Sequence, residues 1–116
     1  METTISKRFA VGAAVEALVA FMNEAEKAHK EAHFPMLKPD FYWVDGGRKY
    51  LRIAQGPAIG TGASVHCFVD AETGGVYKAA GWKKPALNGE RFNLLDPVSF
   101  DELKRNWDPY TSYLYK

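Results

Sequence analysis

Two short reversals, Asp45-Gly46-Gly47 and Glu72-Thr73-Gly74-Gly75, most constrain what this chain can fold into. Glycine reaches the backbone conformations that a tight hairpin demands. Each reversal lies between β-prone segments. FYWV (41–44) leads into the first and RKYLRIAQ (48–55) follows it; SVHCFVD (64–70) leads into the second and VYKAA (76–80) follows it. Alternation puts Tyr50, Arg52 and Ala54 on one face of the second segment, with Leu51 and Ile53 on the other. In the third, Val65, Cys67 and Val69 oppose His66, Phe68 and Asp70. Connections this short join antiparallel neighbours, so the expectation is a four-stranded meander over residues 41–81. Three glycines and a proline between Gly56 and Gly62 make the middle connection a loop.

Before residue 41 the period is different. Val11, Ala14, Val15, Leu18, Phe21, Met22 and Ala25 recur at three- and four-residue spacing, which predicts a helix over residues 5–32. Gly12 weakens its first turns and marks a candidate close approach to another backbone. Pro35 ends the segment. Lys7 and Arg8 precede an alanine-rich stretch, but Glu16 and the charged residues beyond it speak for a helix and against a secretory signal. Past the sheet, Ser99 with Glu102 forms a capping-box pattern and predicts a short helix over residues 100–106. The tail carries Tyr110, Tyr113 and Tyr115, an aromatic load that is expected to pack on the sheet or on a neighbouring subunit. The reading is therefore α+β. A long N-terminal helix lies on a four-stranded antiparallel meander sheet, with a basic aromatic loop at 82–93 and a C-terminal segment at 94–116 that holds a short helix and an extended tail. A chain of 116 residues holds one such core.

Composition excludes several classes. The net charge of +1 gives no broad electrostatic grip on nucleic acid. The one cysteine, Cys67, forms no internal disulfide, and its apolar setting reads as a small buried residue rather than a nucleophile. No run approaches the ~20 apolar residues of a membrane span. His29 and His33 stand four apart near the helix end, yet the sequence between them offers no metal-protease pattern, and favourable placement at the helix C-terminus is the plainer account. His66 and Cys67 are neighbours on a strand and point to opposite faces, so they make no dyad. No catalytic role, metal or cofactor is expected.

Chemistry concentrates in the loop GWKKPALNGERFN (81–93). Trp82 beside Lys83 and Lys84, with Arg91 and Asn93 close behind, suits a ligand that has both a base and phosphates. An indole stacks on a base, a cation pairs with phosphate oxygens, and an amide both donates and accepts. The plainer reading is a solvated loop with Trp82 folded back as a core anchor, and the spacing alone does not decide between the two. Arg48, Lys49, Arg52 and Lys78 lie on adjacent predicted strands. Arg52 and Lys78 extend the basic patch if they share a face; otherwise the four are cations guarding a sheet edge.

The run FVDAETGGVYKAAGWKKPA, with Arg91-Phe92-Asn93 and the ending YTSYLYK, resembles a group of small proteins widespread in bacteriophage genomes. Their pattern is Y-x-K/R-I, V-x-C-F-x-D, T-G-D-x-Y-K-A-A-S-W-K-A-P-A and R-G-N. It matches here at Tyr50–Ile53, Val65–Asp70, Thr73–Ala86 and Arg91–Asn93. The same segment is similar to the phage sponges that counter the Thoeris defence by holding cyclic ADP-ribose-type signals without cleaving them. That resemblance implies a homo-oligomer with the ligand between subunits, contacted by a ring, an asparagine and arginines. Those positions fall on Trp82 and Asn93, with a C-terminal cation at Lys116. The arginine of the N-terminal helix has no match; Lys27 and Lys30 are the nearby cations. Three positions depart from the pattern. Gly81 replaces a serine, Phe92 replaces a glycine, and the spacing from Trp82 to Asn93 is one residue longer.

The expectation that follows is a phage-encoded, non-enzymatic protein of the infected host's cytoplasm that sequesters a cyclic nucleotide immune signal. Trp82, Lys84, Arg91, Asn93, Arg52 and Lys116 would form the ligand set. An alternative is an interaction module that inhibits a host enzyme or defence protein, favoured if Trp43, Trp107 and Tyr113 form one exposed patch. A further alternative is a single-strand nucleic-acid binder, disfavoured by the charge.

Overall fold

The computed structural model describes residues 4–115. Helix α1 runs Thr4–His33. Strands β1 (Phe41–Val44), β2 (Tyr50–Gly56), β3 (Ser64–Asp70), β4 (Gly75–Tyr77) and β5 (Phe92–Asn93) follow, then helix α2 (Pro97–Asn106) and a single 3-10 turn at Ser112–Leu114. All strand neighbours are antiparallel and the sheet order is β1-β2-β3-β4-β5, so the expected meander is present with one strand more. The added strand lies inside the 82–93 segment read as a loop; two residues are too few to leave a period in the sequence.

The reversal between β1 and β2 explains its glycines. Gly47 has φ +113°, and a side chain there would run into the Tyr50 carbonyl. Val11, Val15, Leu18 and Met22 form the buried stripe of α1 and pack with Ile53, Cys67, Val69 and Val76 of the sheet and Leu103 of α2. No backbone crowds Gly12 among the described residues, so its expected close approach is not seen.

The stripe continues into polar residues that close the outer edge of β1. The Asn23 amide accepts from the Tyr42 N–H at 2.9 Å and donates to the Tyr42 carbonyl at 3.1 Å. Glu26, fully buried, accepts from the Asp40 N–H at 2.8 Å and from Lys30 Nζ at 2.9 Å. That bond to Glu26 holds the Lys30 ammonium above its usual pKa. The Tyr42 backbone groups, which an edge strand would otherwise offer to another chain, are thus bonded within this one.

Two sequence expectations are corrected at the C-terminal end. The cap of α2 is Asp96, whose side chain accepts from the Val98 and Ser99 N–H groups, with Pro97 in the first turn. Ser99 instead accepts from the Asn93 N–H at 2.8 Å. The tail is not extended: Tyr113 and Leu114 turn into the main core.

Strict alternation fails in β3. The register steps from Ile53↔Cys67 to Ala54↔Val65, leaving His66 as the extra residue of a bulge. His66 and Cys67 are both buried, and His66 stacks on Trp107 with ring centroids 6.1 Å apart. Its Nδ1 donates to Gln55 Oε1 at 2.9 Å and its Nε2 accepts from the Tyr113 hydroxyl at 2.7 Å. The Gln55 amide is oriented by donating to Asp40 Oδ2 and the Pro109 carbonyl, which fixes this tautomer of His66.

Candidate functional site

Trp82 sits at the tip of a small excursion that follows β4. Ala79 bridges Pro85, and the Gly81 and Lys84 backbones bond each other across the turn that carries Trp82 and Lys83. The excursion folds back to Arg52 on β2. Arg52 Nε donates to the Trp82 carbonyl at 2.7 Å, and the guanidinium carbon lies 4.5 Å from the centre of the indole. Arg52 Nη1 donates to the Asp45 carbonyl at 2.9 Å, tying the same guanidinium to the β1–β2 reversal. Phe68, opposite Arg52 in the register, is only 2% exposed, so this part of the outer sheet face is covered within one chain.

The indole remains 40% exposed. It forms one side of a cleft of about 370 Å³ whose walls are Ala63, Ser64 and Val65 at the start of β3 and Ala79, Ala80 and Gly81 beyond the end of β4. Small side chains leave the room. The neck of the loop before Ser64 is tight, because a Cβ on Gly56 would stand 2.9 Å from the Thr61 carbonyl. Lys83 and Lys84 are exposed on the turn beside the indole. The arrangement offers a flat aromatic wall, a guanidinium stacked on that ring, and two exposed lysines on the same turn. Such a set accommodates a planar ring that bears an anion.

The other predicted site residues go elsewhere. Asn93 sits on β5 and spends its side chain on its own turn: Nδ2 donates to the Thr73 carbonyl and to Glu90 Oε1, and Oδ1 accepts from the Leu95 N–H. Arg91 is half-buried before β5 and donates to Asn88 Oδ1 at 3.2 Å. Lys78 lies over the Tyr115 ring at 4.3 Å and does not extend the Arg52 patch. Lys116 lies outside the described residues. His29 and His33 have ring centroids 4.8 Å apart, and among the described residues no three potential ligands gather around a metal position. Trp107 and Tyr113 pack against the core, so the exposed aromatic patch with Trp43 does not form.

Two buried groups are chemically silenced. Burial pushes the Cys67 thiol up to about 12, and burial drives the His66 imidazole down to about 3 against a weaker opposing pull from Asp108. A second cleft of about 400 Å³ lies between α2 and the C-terminal turn, near Glu102, Asp108 and Tyr113. Of its two acidic groups, Asp108 is already engaged, since its carboxylate accepts from the N–H groups of Tyr110, Ser112 and Tyr113.

The sequence did not single out Ser64, Ala79 or Ala80 as site residues. The signal was present in the run of small residues immediately before Trp82 and in the glycine-rich loop before Ser64.

Fold and site together define a small α+β domain: a helix backing an antiparallel meander, with an aromatic-walled, cation-flanked cleft where the sheet opens. The chain belongs to DUF7717, a family of unknown function whose profile matches residues 3–116. No curated protein and no solved structure matches it. Among the described residues, no helix is long and apolar enough to cross a membrane.

Proposed function

We propose that this protein is a non-enzymatic binder that sequesters a cyclic nucleotide signal of the cyclic ADP-ribose type at the Trp82 cleft. The observation that carries the reading is the half-exposed indole, stacked with Arg52 and bordering an open cleft next to the turn that carries Lys83 and Lys84. Stacking of the ligand's base on Trp82 is worth about 1–3 kcal/mol, and the cations neutralise its phosphates. Arg91 and Asn93 leave the ligand set in favour of Arg52, Lys83 and Lys84, because their side chains serve the turns next to β5. At about 370 Å³ the cleft is at the small end for ligand sites, with room for one nucleoside. A second protomer would supply the remaining wall, in keeping with the subunit-interface pocket implied by the resemblance to phage sponges. The phage origin and the anti-defence role rest on that resemblance.

Calorimetry of the folded chain with cyclic ADP-ribose isomers and with cyclic di- and trinucleotides tests the reading. Saturable heat with at least one, and recovery of that ligand chemically intact, is expected. Absence of heat with the whole panel ends the proposal.

A further inference from the structure

Strands β3 and β4 pair at Phe68↔Tyr77 and Val69↔Val76, and then they part. The direction in which each backbone group points is set by bonds on the other side of this segment. Gly74 and Val76 give their carbonyls to Leu94 and Arg91, Lys78 gives its carbonyl to Ala86, and Ala80 donates its N–H to Lys84. Backbone groups alternate along an extended chain, so Gly75, Tyr77 and Ala79 turn theirs toward β3. Tyr77 meets Phe68 there. Ala79 faces the Ser64–His66 stretch, yet no backbone hydrogen bond joins them, and neither its N–H nor its carbonyl finds a partner among the described residues. Its bridge to Pro85 is carried by the flanking Lys78 and Ala80, so it leaves the Ala79 groups free. The cleft beside Trp82 is therefore an opened ladder, with a paired donor and acceptor on one wall.

We infer that the open Ala79 peptide edge is the specificity element of this cleft. It reads the edge of a purine that carries a hydrogen-bond acceptor beside a donor, while Trp82 holds the face of the ring. Adenine displays such an edge through its N7 acceptor and its exocyclic N6 donor. The ligand completes the ladder that β3 and β4 abandon, and each strand-type bond forms only if the ligand's donor and acceptor stand in that order. The inference rests on the reading of the Trp82 cleft as a nucleotide site and adds the backbone edge by which the adenine of such a ligand is selected. An unpaired backbone donor and acceptor in a small apolar slot discriminate well, because a ligand that fits but cannot bond leaves both without water and without a partner.

A two-dimensional amide NMR titration of the full chain with adenosine monophosphate at millimolar concentration reads both walls at once. The Trp82 indole N–H reports stacking and the Ala79 amide reports the edge. Both signals are expected to move together and saturate. The N6,N6-dimethyl analogue, which lacks the donor, should bind about tenfold more weakly, the equivalent of one lost hydrogen bond. Movement of the indole with a silent Ala79 amide, or equal affinity for the two nucleotides, overturns the edge inference while the cleft stands as a stacking site. Silence of both signals overturns the inference together with the reading beneath it.

Discussion

Two clusters in this molecule are built from the same parts, an indole and a nitrogen-bearing side chain, and they do opposite things. In the core, His66 stacks on Trp107 and both its ring nitrogens are bonded, one to Gln55 and one to Tyr113. At the surface, Arg52 stacks on Trp82 and bonds its carbonyl, but the indole stays 40% exposed beside a cleft. The first cluster encloses His66 and satisfies both its nitrogens within the chain, although the buried Trp107 Nε1–H has no partner among the described residues. The second leaves its indole half-exposed and its two neighbouring lysines on the surface. What separates them is enclosure rather than residue type, and enclosure cannot be read from a local motif.

The largest effect that would break this contrast is in the core. His66→Ala removes a buried ring and strands the Gln55 amide and Tyr113 hydroxyl, so urea denaturation should show a loss of about 3–4 kcal/mol. A loss under about 1 kcal/mol would mean the core cluster is as loosely held as the surface one. Acid sharpens the same point. The folded pKa of His66, about 3, lies below the ordinary 6.5. The unfolded chain therefore binds the proton first. The stability that the neutral ring contributes is full above about 6.5 and is lost as pH falls from there toward about 3. By about pH 4.5 the loss should reach roughly 2–3 kcal/mol, and it should vanish in His66→Gln.

At the surface the effects are smaller. Arg52→Met keeps the stem but loses the bonds to Trp82 and Asp45. Stability should drop by about 1–2 kcal/mol, and hydrogen exchange should speed up over residues 79–86 and at the Asp45–Gly47 reversal, with α1 unchanged. Exchange that speeds up equally in α1 would show that Arg52 holds the whole fold rather than the tip. The smallest effect is at Tyr42, whose buried hydroxyl has no partner among the described residues. Tyr42→Phe should change stability by less than about 0.5 kcal/mol or raise it slightly, in contrast to any change at His66. A loss above about 1.5 kcal/mol would reveal a bound partner for that hydroxyl.

The meander and the helix were legible because their signals are local and periodic. Glycine pairs mark the reversals, and the stripe Val11-Val15-Leu18-Met22 marks the buried side of α1. The bulge at His66 was not legible, since one inserted residue changes register without changing composition. The cap of α2 was present in the sequence as Asp96-Pro97, but the Ser99–Glu102 pattern three residues later was equally well formed, and only the fold chooses between them. At the site, Trp82, Arg52 and Lys84 were legible as candidates by chemistry. The partnership of Arg52 with Trp82 spans thirty positions and depends on the sheet register. Asn93 shows the converse: its amide suits a ligand, and the backbone groups that it bonds within the chain, at Thr73 and Leu95, leave no trace in the motif.

The account turns on whether the exposed face of Trp82 is where the signal binds. Side-by-side calorimetry of the unaltered chain and Trp82→Ala, each titrated with the cyclic nucleotide that gives the largest heat, addresses this most directly. The account predicts that Trp82→Ala stays folded, with its urea midpoint lowered by no more than that of Arg52→Met, and binds at least tenfold more weakly, from the lost stack. Undiminished binding by a folded Trp82→Ala would contradict it.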